Sequence, residues 1–317
     1  MKVAKFQPSP IDDEADVGTG RRPQPSGRLG VIDDTAGTVR PLSDPSLRIV
    51  DLLTHGDPLA MVRDAPTDEA MNLSNVRLLP PIDVQEVWAA GVTYKRSQTA
   101  RMEESETAAS VYDQVYDAPR PEIFFKAPPR RVRGDGQPLR IRGDAAWNVP
   151  EPEITLAVNS AGNIIGLTVG NDMSSRDIEG DNPLYLPQAK TYDDCAGLGP
   201  WITLLPPDQL PDASSIGVDL AIRRSGEVVF DGKTDASQMH RRFVDLVRWL
   251  FRDNTFPDGC FLMTGTGIVP DSDFTLADGD VVSITVDHVG TLRSPITQTP
   301  VRDPERWTSR PSELRSS

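Results

Sequence analysis

Apolar residues fall mostly in short runs whose ends alternate with polar residues, the period of strands rather than of helices. The first runs, Lys2–Phe6, Leu29–Ile32 and Val39–Leu42, are predicted as strands. Ser46–His55 and Pro58–Val62 are predicted as short helices, divided by the stop signal Gly56-Asp57-Pro58. A strand over Val87–Tyr94 leads into Lys95–Tyr116, whose alanines, glutamates and arginine suit a helix that Asp117-Ala-Pro ends. The runs Ile154–Val158 and Ile164–Val169 flank Asn159-Ser-Ala-Gly-Asn163, a turn by composition, and predict a hairpin. A second hairpin is predicted from Ser215–Arg224 and Glu227–Phe230 across Ser225-Gly226. Met239–Phe251 changes period: Phe243, Leu246, Val247 and Leu250 lie on one helical face and are assigned to the core. Strands at Cys260–Met263 and Val281–Val286 follow, the second after the turn Asp278-Gly-Asp280.

At 317 residues the chain is long enough for a large core and two domains. Leu79-Pro80-Pro81-Ile82 is a boundary signal, giving a small N-terminal domain (1–84), a larger domain (85–300) and a polar tail (301–317). Lys and Arg number 33 against 47 Asp and Glu, a net charge of −14, which disfavours nucleic acid and anionic membrane as partners. The basic run Pro128-Pro-Arg-Arg-Val-Arg133 reads as a solvated loop. Cys195 and Cys260 are too few for a disulfide framework, and Cys195 reads as small buried packing rather than a nucleophile. No apolar signal core opens the sequence and no span of about 20 apolar residues interrupts it, so a soluble, cytoplasmic enzyme is expected.

The candidate chemistry is acidic. Glu151 and Glu153 stand two apart at the head of the run Ile154–Val158, and alternate residues of a strand share a face. The hairpin would bring Asp172 to the same pair. Three carboxylates held together repel unless protons or a cation neutralise them. Oxygen-only ligands favour Mg²⁺, with Mn²⁺ or Ca²⁺ as alternatives, over Zn²⁺. The plainer alternative leaves Glu151 and Glu153 on the solvent face of a half-buried hairpin.

Four ordered segments carry a resemblance: Glu151-Pro-Glu153, Asn171-Asp-Met-Ser-Ser-Arg-Asp177, Lys190-Thr-Tyr-Asp193 and Leu198-Gly-Pro200. With Val87–Tyr94, Pro121-Glu-Ile-Phe-Phe-Lys126 and Thr264-Gly-Thr-Gly267, they resemble the fumarylacetoacetate hydrolase family from about Val87 to about Val286. The loop departs from the family at Gly267, where Pro is usual. Hydrolases of the family carry a His and a Glu on a lid as a water-activating dyad; Ser97 and Ala100 stand there here. The run Glu179–Lys190 looks like the branch that dehydrates 2-keto-3-deoxy-pentonates.

The resemblance implies an α+β fold, a mixed β-sandwich roll with a small N-terminal α+β domain, usually a homodimer. It implies a metal, Mg²⁺ first, on Glu151, Glu153 and Asp172, with Lys190 and Glu122 as the acid–base pair. Thr266 and Gly265 would hold the carboxylate of a sugar-acid substrate, with Arg101 gripping it from the lid. The implied reaction is dehydration of a 2-keto-3-deoxy-pentonate to 2,5-dioxopentanoate through a metal-stabilised enolate. Two alternatives stand beside it: a hydrolase or decarboxylase of 2,4-diketo acids, and an acidic binding protein without catalysis.

Overall fold

In the computed structural model, residues 1–8, 27–95, 115–207, 209–298 and 300 are described. Arg101, Ser97 and Ala100 lie outside them, as do most of the expected 95–116 helix and the 301–317 tail. The N-terminal runs form β1 (Lys2–Pro8), β2 (Arg28–Asp33), β3 (Thr38–Pro41), β4 (Met71–Asn72) and β5 (Val76–Leu79), with α1 (Ile49–Thr54) and α2 (Pro58–Asp64) between them. Helix α1 begins later than the composition suggests, because Asp44 accepts from the Ser46 amide and holds that stretch as a turn.

The strands that follow are β6 (Glu86–Gly91), β7 (Glu122–Ala127), β8 (Val132–Arg133), β9 (Leu139–Ile141), β10 (Asn148–Val149), β11 (Pro152–Val158), β12 (Ile164–Asp172) and β13 (Ser174–Ser175). Helices α3 (Arg176–Asp181) and α4 (Leu186–Lys190) precede β14 (Ala196–Leu204). The C-terminal third holds β15 (Gly217–Arg224), β16 (Glu227–Asp235), α5 (Phe243–Leu250), β17 (Cys260–Met263), β18 (Val281–Val286) and β19 (Gly290–Gln298).

Twelve of these strands make one sheet, in the order β4-β3-β2-β1-β14-β12-β11-β17-β6-β7, with β5 on β1 and β8 on β14. Lys2 and Val3 pair with Thr203 and Ile202, so the sheet is continuous across the boundary expected at 84/85. A second sheet of five strands, β16-β15-β18-β19-β9, packs on it. Ile154, Leu156 and Val158 share one core with Val218, Leu220, Val282, Ile284 and the α5 face, while Ala157 joins another with Val3, Leu52 and Phe261. Strand β11 is therefore buried on both faces, which is why apolar residues fill Ile154 and Leu156–Val158 without alternation.

Two boundaries differ from the sequence pattern. The 87–94 strand ends at Gly91, because Val92 takes a left-handed φ of 51° and turns the chain. The helix expected from Met239 starts at Phe243, because Met239 bridges to Tyr94 and the His240 amide donates to Thr93 O at 2.8 Å. Among the described residues no helix is long and apolar enough to cross a membrane.

Candidate active site

The β11–β12 pairing sets the site. Glu153 lies opposite Gly170, and the Asp172 amide donates to Glu151 O at 3.0 Å, so the two strand ends are tied where the acids stand. Side chains of paired residues and of residues two apart project to one face. Glu151, Glu153 and Asp172 consequently converge, each buried, with ligand oxygens all within 4.8 Å of one another. The solvent-face alternative for Glu151 and Glu153 is excluded by this burial. At an effective dielectric of about 20, each pair of such charges repels by on the order of 3 kcal/mol. Burial, then the Asp172 and Glu151 charges, push the Glu153 carboxyl well above the ordinary range.

Cations surround the cluster without filling its deficit. Helix α4 ends on Lys190, whose ammonium donates to Glu151 Oε2 at 2.8 Å, Asp172 Oδ2 at 3.3 Å and Ser174 Oγ at 2.6 Å. Lys126, the fully buried penultimate residue of β7, stands 2.5 Å from Asp172 Oδ1 and donates to Met173 O and Lys190 O. Arg176, in the first turn of α3, donates to Glu151 Oε1 at 2.9 Å. Among the described residues, and including Glu122 and Glu179 in the cleft, five carboxylates stand with three cations, a formal difference of two. One divalent ion balances it, and an all-oxygen set suits Mg²⁺; these residues fit a metal.

The cleft is lined by Glu122, Phe124, Glu151, Asp172, Arg176, Glu179, Lys190, Gly265 and Thr266, among others. Glu122 opens β7 opposite Gly91, where any Cβ would collide with the Glu122 carboxylate. Gly265, at φ 92°, has no room for a side chain against Thr93 Oγ1; its amide donates to Glu153 Oε2 at 2.5 Å. Thr266 also lines the cleft, its hydroxyl donating to Ile268 O at 3.1 Å. Cys195 is buried, and burial pushes its thiol up, so it is packing.

Residues 86–297 match the fumarylacetoacetate hydrolase C-terminal family. The chain belongs to that family. Among its relatives, a probable 2-keto-3-deoxyxylonate dehydratase of Haloferax volcanii is 47% identical over 217 residues, 68% of this chain and 74% of the relative. The 2-dehydro-3-deoxy-D-arabinonate dehydratase of Saccharolobus solfataricus is 40% identical over 231 residues, 72% of this chain and 77% of the relative. A solved structure of 2-keto-3-deoxy-D-arabinonate dehydratase complexed with magnesium and 2,5-dioxopentanoate superposes with a TM-score of 0.77 at 32% identity. It covers 95% of this chain and 100% of the other. The α+β fold expected from the sequence is the one observed.

Three cleft or cluster residues of this family member had been left unassigned by the sequence: Lys126, Arg176 and Glu179. A signal for the first was present, because Glu122, Phe124 and Lys126 are two apart on one strand and share a face. Arg176 and Glu179, three apart, share a helical face in the same way.

Proposed function

We propose that this protein is a Mg²⁺-dependent hydro-lyase that converts a 2-keto-3-deoxy-pentonate to 2,5-dioxopentanoate and water. The observation that carries it is the buried Glu151, Glu153 and Asp172 cluster with the Lys190 ammonium against two of its members. The relatives at 47% and 40% identity, both named as dehydratases of such acids, support the same reaction. Mg²⁺ held by the three carboxylates would polarise the 2-keto group and so acidify the protons on carbon 3.

Lys190 is the proposed base for one of those protons. Its position beside the ion-binding carboxylates makes its charge sensitive to what they hold, since a neighbouring cation disfavours the ammonium. Glu122, across the cleft, protonates the departing hydroxyl on carbon 4. The opposite assignment, Glu122 as base and Lys190 as electrostatic support, uses the same two groups. Thr266 is the proposed contact for the substrate carboxylate, its hydroxyl exchanging Ile268 for the ligand. Gly265 serves from beneath through Glu153, and Arg101 closes the carboxylate end. The enzyme is taken to be a cytoplasmic homodimer.

Product analysis tests the reading. Purified protein with Mg²⁺ and 2-keto-3-deoxy-pentonate should yield 2,5-dioxopentanoate. A chelator, or Glu153→Ala, should lower the rate by about 10³-fold or more, because Lewis-acid stabilisation is worth several kcal/mol. Absence of that product, with cleavage of a 2,4-diketo acid to pyruvate, would replace the dehydratase by the hydrolase.

A further inference from the structure

Dehydration of a 2-keto-3-deoxy-pentonate needs proton transfers at carbons 3, 4 and 5, and the acid–base pair above is assigned to carbons 3 and 4. Loss of water across carbons 3 and 4 leaves 5-hydroxy-2-oxopent-3-enoate, a conjugated enone. The product instead carries a second carbonyl at carbon 5. Between them a proton must leave carbon 5, its electron pair shifting through carbons 4 and 3 toward the ketone. A proton is then added at carbon 3. The enol so formed takes a proton on carbon 4 and releases its hydroxyl proton, giving the aldehyde. Atoms balance and no oxidant is used.

Among the described residues the acid–base groups lining the cleft are few. Of these, Glu151 and Asp172 belong to the ion-binding cluster, and Lys190 and Glu122 are assigned to carbons 3 and 4. Arg176 stays protonated throughout and is tied to Glu151. Glu179 is left. It is 2% exposed, one turn along α3 from Arg176, and it lines the cleft without belonging to the cluster of ligand oxygens.

We propose that Glu179 is the base that takes the carbon-5 proton, so that this buried carboxylate isomerises the enone on the enzyme. The inference rests on the dehydratase reading.

The test supplies the two half-reactions separately. Wild-type protein, Glu179→Gln and Glu122→Gln are each given 2-keto-3-deoxy-pentonate and, in other vessels, the preformed enone, with Mg²⁺. Consumption and aldehyde formation are followed by absorbance and chromatography. Glutamine keeps the shape and a hydrogen bond but accepts no proton. Glu179→Gln should slow enone isomerisation about 10²-fold or more, slow substrate consumption much less, and release enone into solution. Glu122→Gln should show the reverse order of effects. Glu179→Asp, which withdraws the carboxylate by one methylene, is measured beside them and should show the Glu179→Gln pattern at about 10-fold, keeping the test open if the amide variant fails to fold. Equal slowing of both half-reactions by the Glu179 variants, or a larger effect of Glu122→Gln on the enone, overturns the inference alone. If wild-type protein makes no 2,5-dioxopentanoate from the sugar acid, the function and the inference fall together.

Discussion

Lys5 and Asp83 meet at 2.6 Å between the N-terminal strands and α1, much as Lys126 and Asp172 meet at 2.5 Å beneath the cleft, and both pairs are buried. Around them the two regions differ. Asp83 accepts from the Val50 amide and has a second cation, Arg48, 3.9 Å away, while Lys5 also donates to Ile82 O. Among the described residues no second carboxylate bonds to Lys5. Asp172 instead shares its surroundings with Glu151 and Glu153, and among the described residues its two lysines are outnumbered by those three acids. A buried pair in balance holds chain segments together. A buried excess of one sign is costly to fold and is kept where a counter-charge is bound.

The largest expected effect comes from breaking the unbalanced side. Lys190→Met keeps the length of the side chain and removes its three donors. The rate of sugar-acid dehydration should fall by about 10²- to 10⁴-fold with saturating Mg²⁺, the range for loss of a positioned acid–base group. A steady-state assay on folded variant decides it, and a loss below tenfold would remove Lys190 from the chemistry.

A smaller effect should come from the balanced side. Lys5→Met leaves Asp83 buried beside a cation that is itself 56% exposed, so the variant should lose about 3 kcal/mol in urea unfolding. Its turnover should stay within twofold, because nothing at Lys5 reaches the cleft. If turnover fell with stability, the two regions would be energetically coupled and the contrast between them would not hold.

How much of this contrast the sequence carried follows from what each feature depends on. The Glu151–Glu153 spacing and the hairpin that brings in Asp172 are local, so period and turn composition predict them. The fold class came from ordered motifs. The cation sheath is not local: Lys126 reaches Asp172 across 46 positions and Arg176 reaches Glu151 across 25, and a buried lysine looks like any other until its neighbours are placed. The late start of α5 is also tertiary, since the amide of His240 is taken by Thr93 rather than by the helix. Strand β19 escaped because Ser294-Pro295 interrupts its pattern; with Pro295 opposite Val281, the missing donor is tolerated at that register.

The smallest expected effect tests the excess charge itself. The Glu153 carboxyl is raised in the folded protein, by burial first and then by Asp172 and Glu151, above the ordinary 4.5 that it keeps when unfolded. Between those two values the folded chain holds a proton that the unfolded chain has released. Stability with a chelator present therefore falls as pH rises through that window, and above it Glu153 is a net cost. Glu153→Gln retains an oxygen to accept from the Gly265 amide but carries no charge. In chelator it should melt higher than wild type at pH 8, and the gap should close toward pH 4.5. Added Mg²⁺ should reverse the order, because only the intact cluster gains the binding term RT ln(1 + [Mg²⁺]/Kd). Thermal melts at two pH values, each with chelator and with Mg²⁺, give all four comparisons. A Glu153→Gln protein that melts lower than wild type at pH 8 in chelator would mean that the three carboxylates are already balanced by Lys126, Lys190 and Arg176, leaving no deficit for an ion to fill.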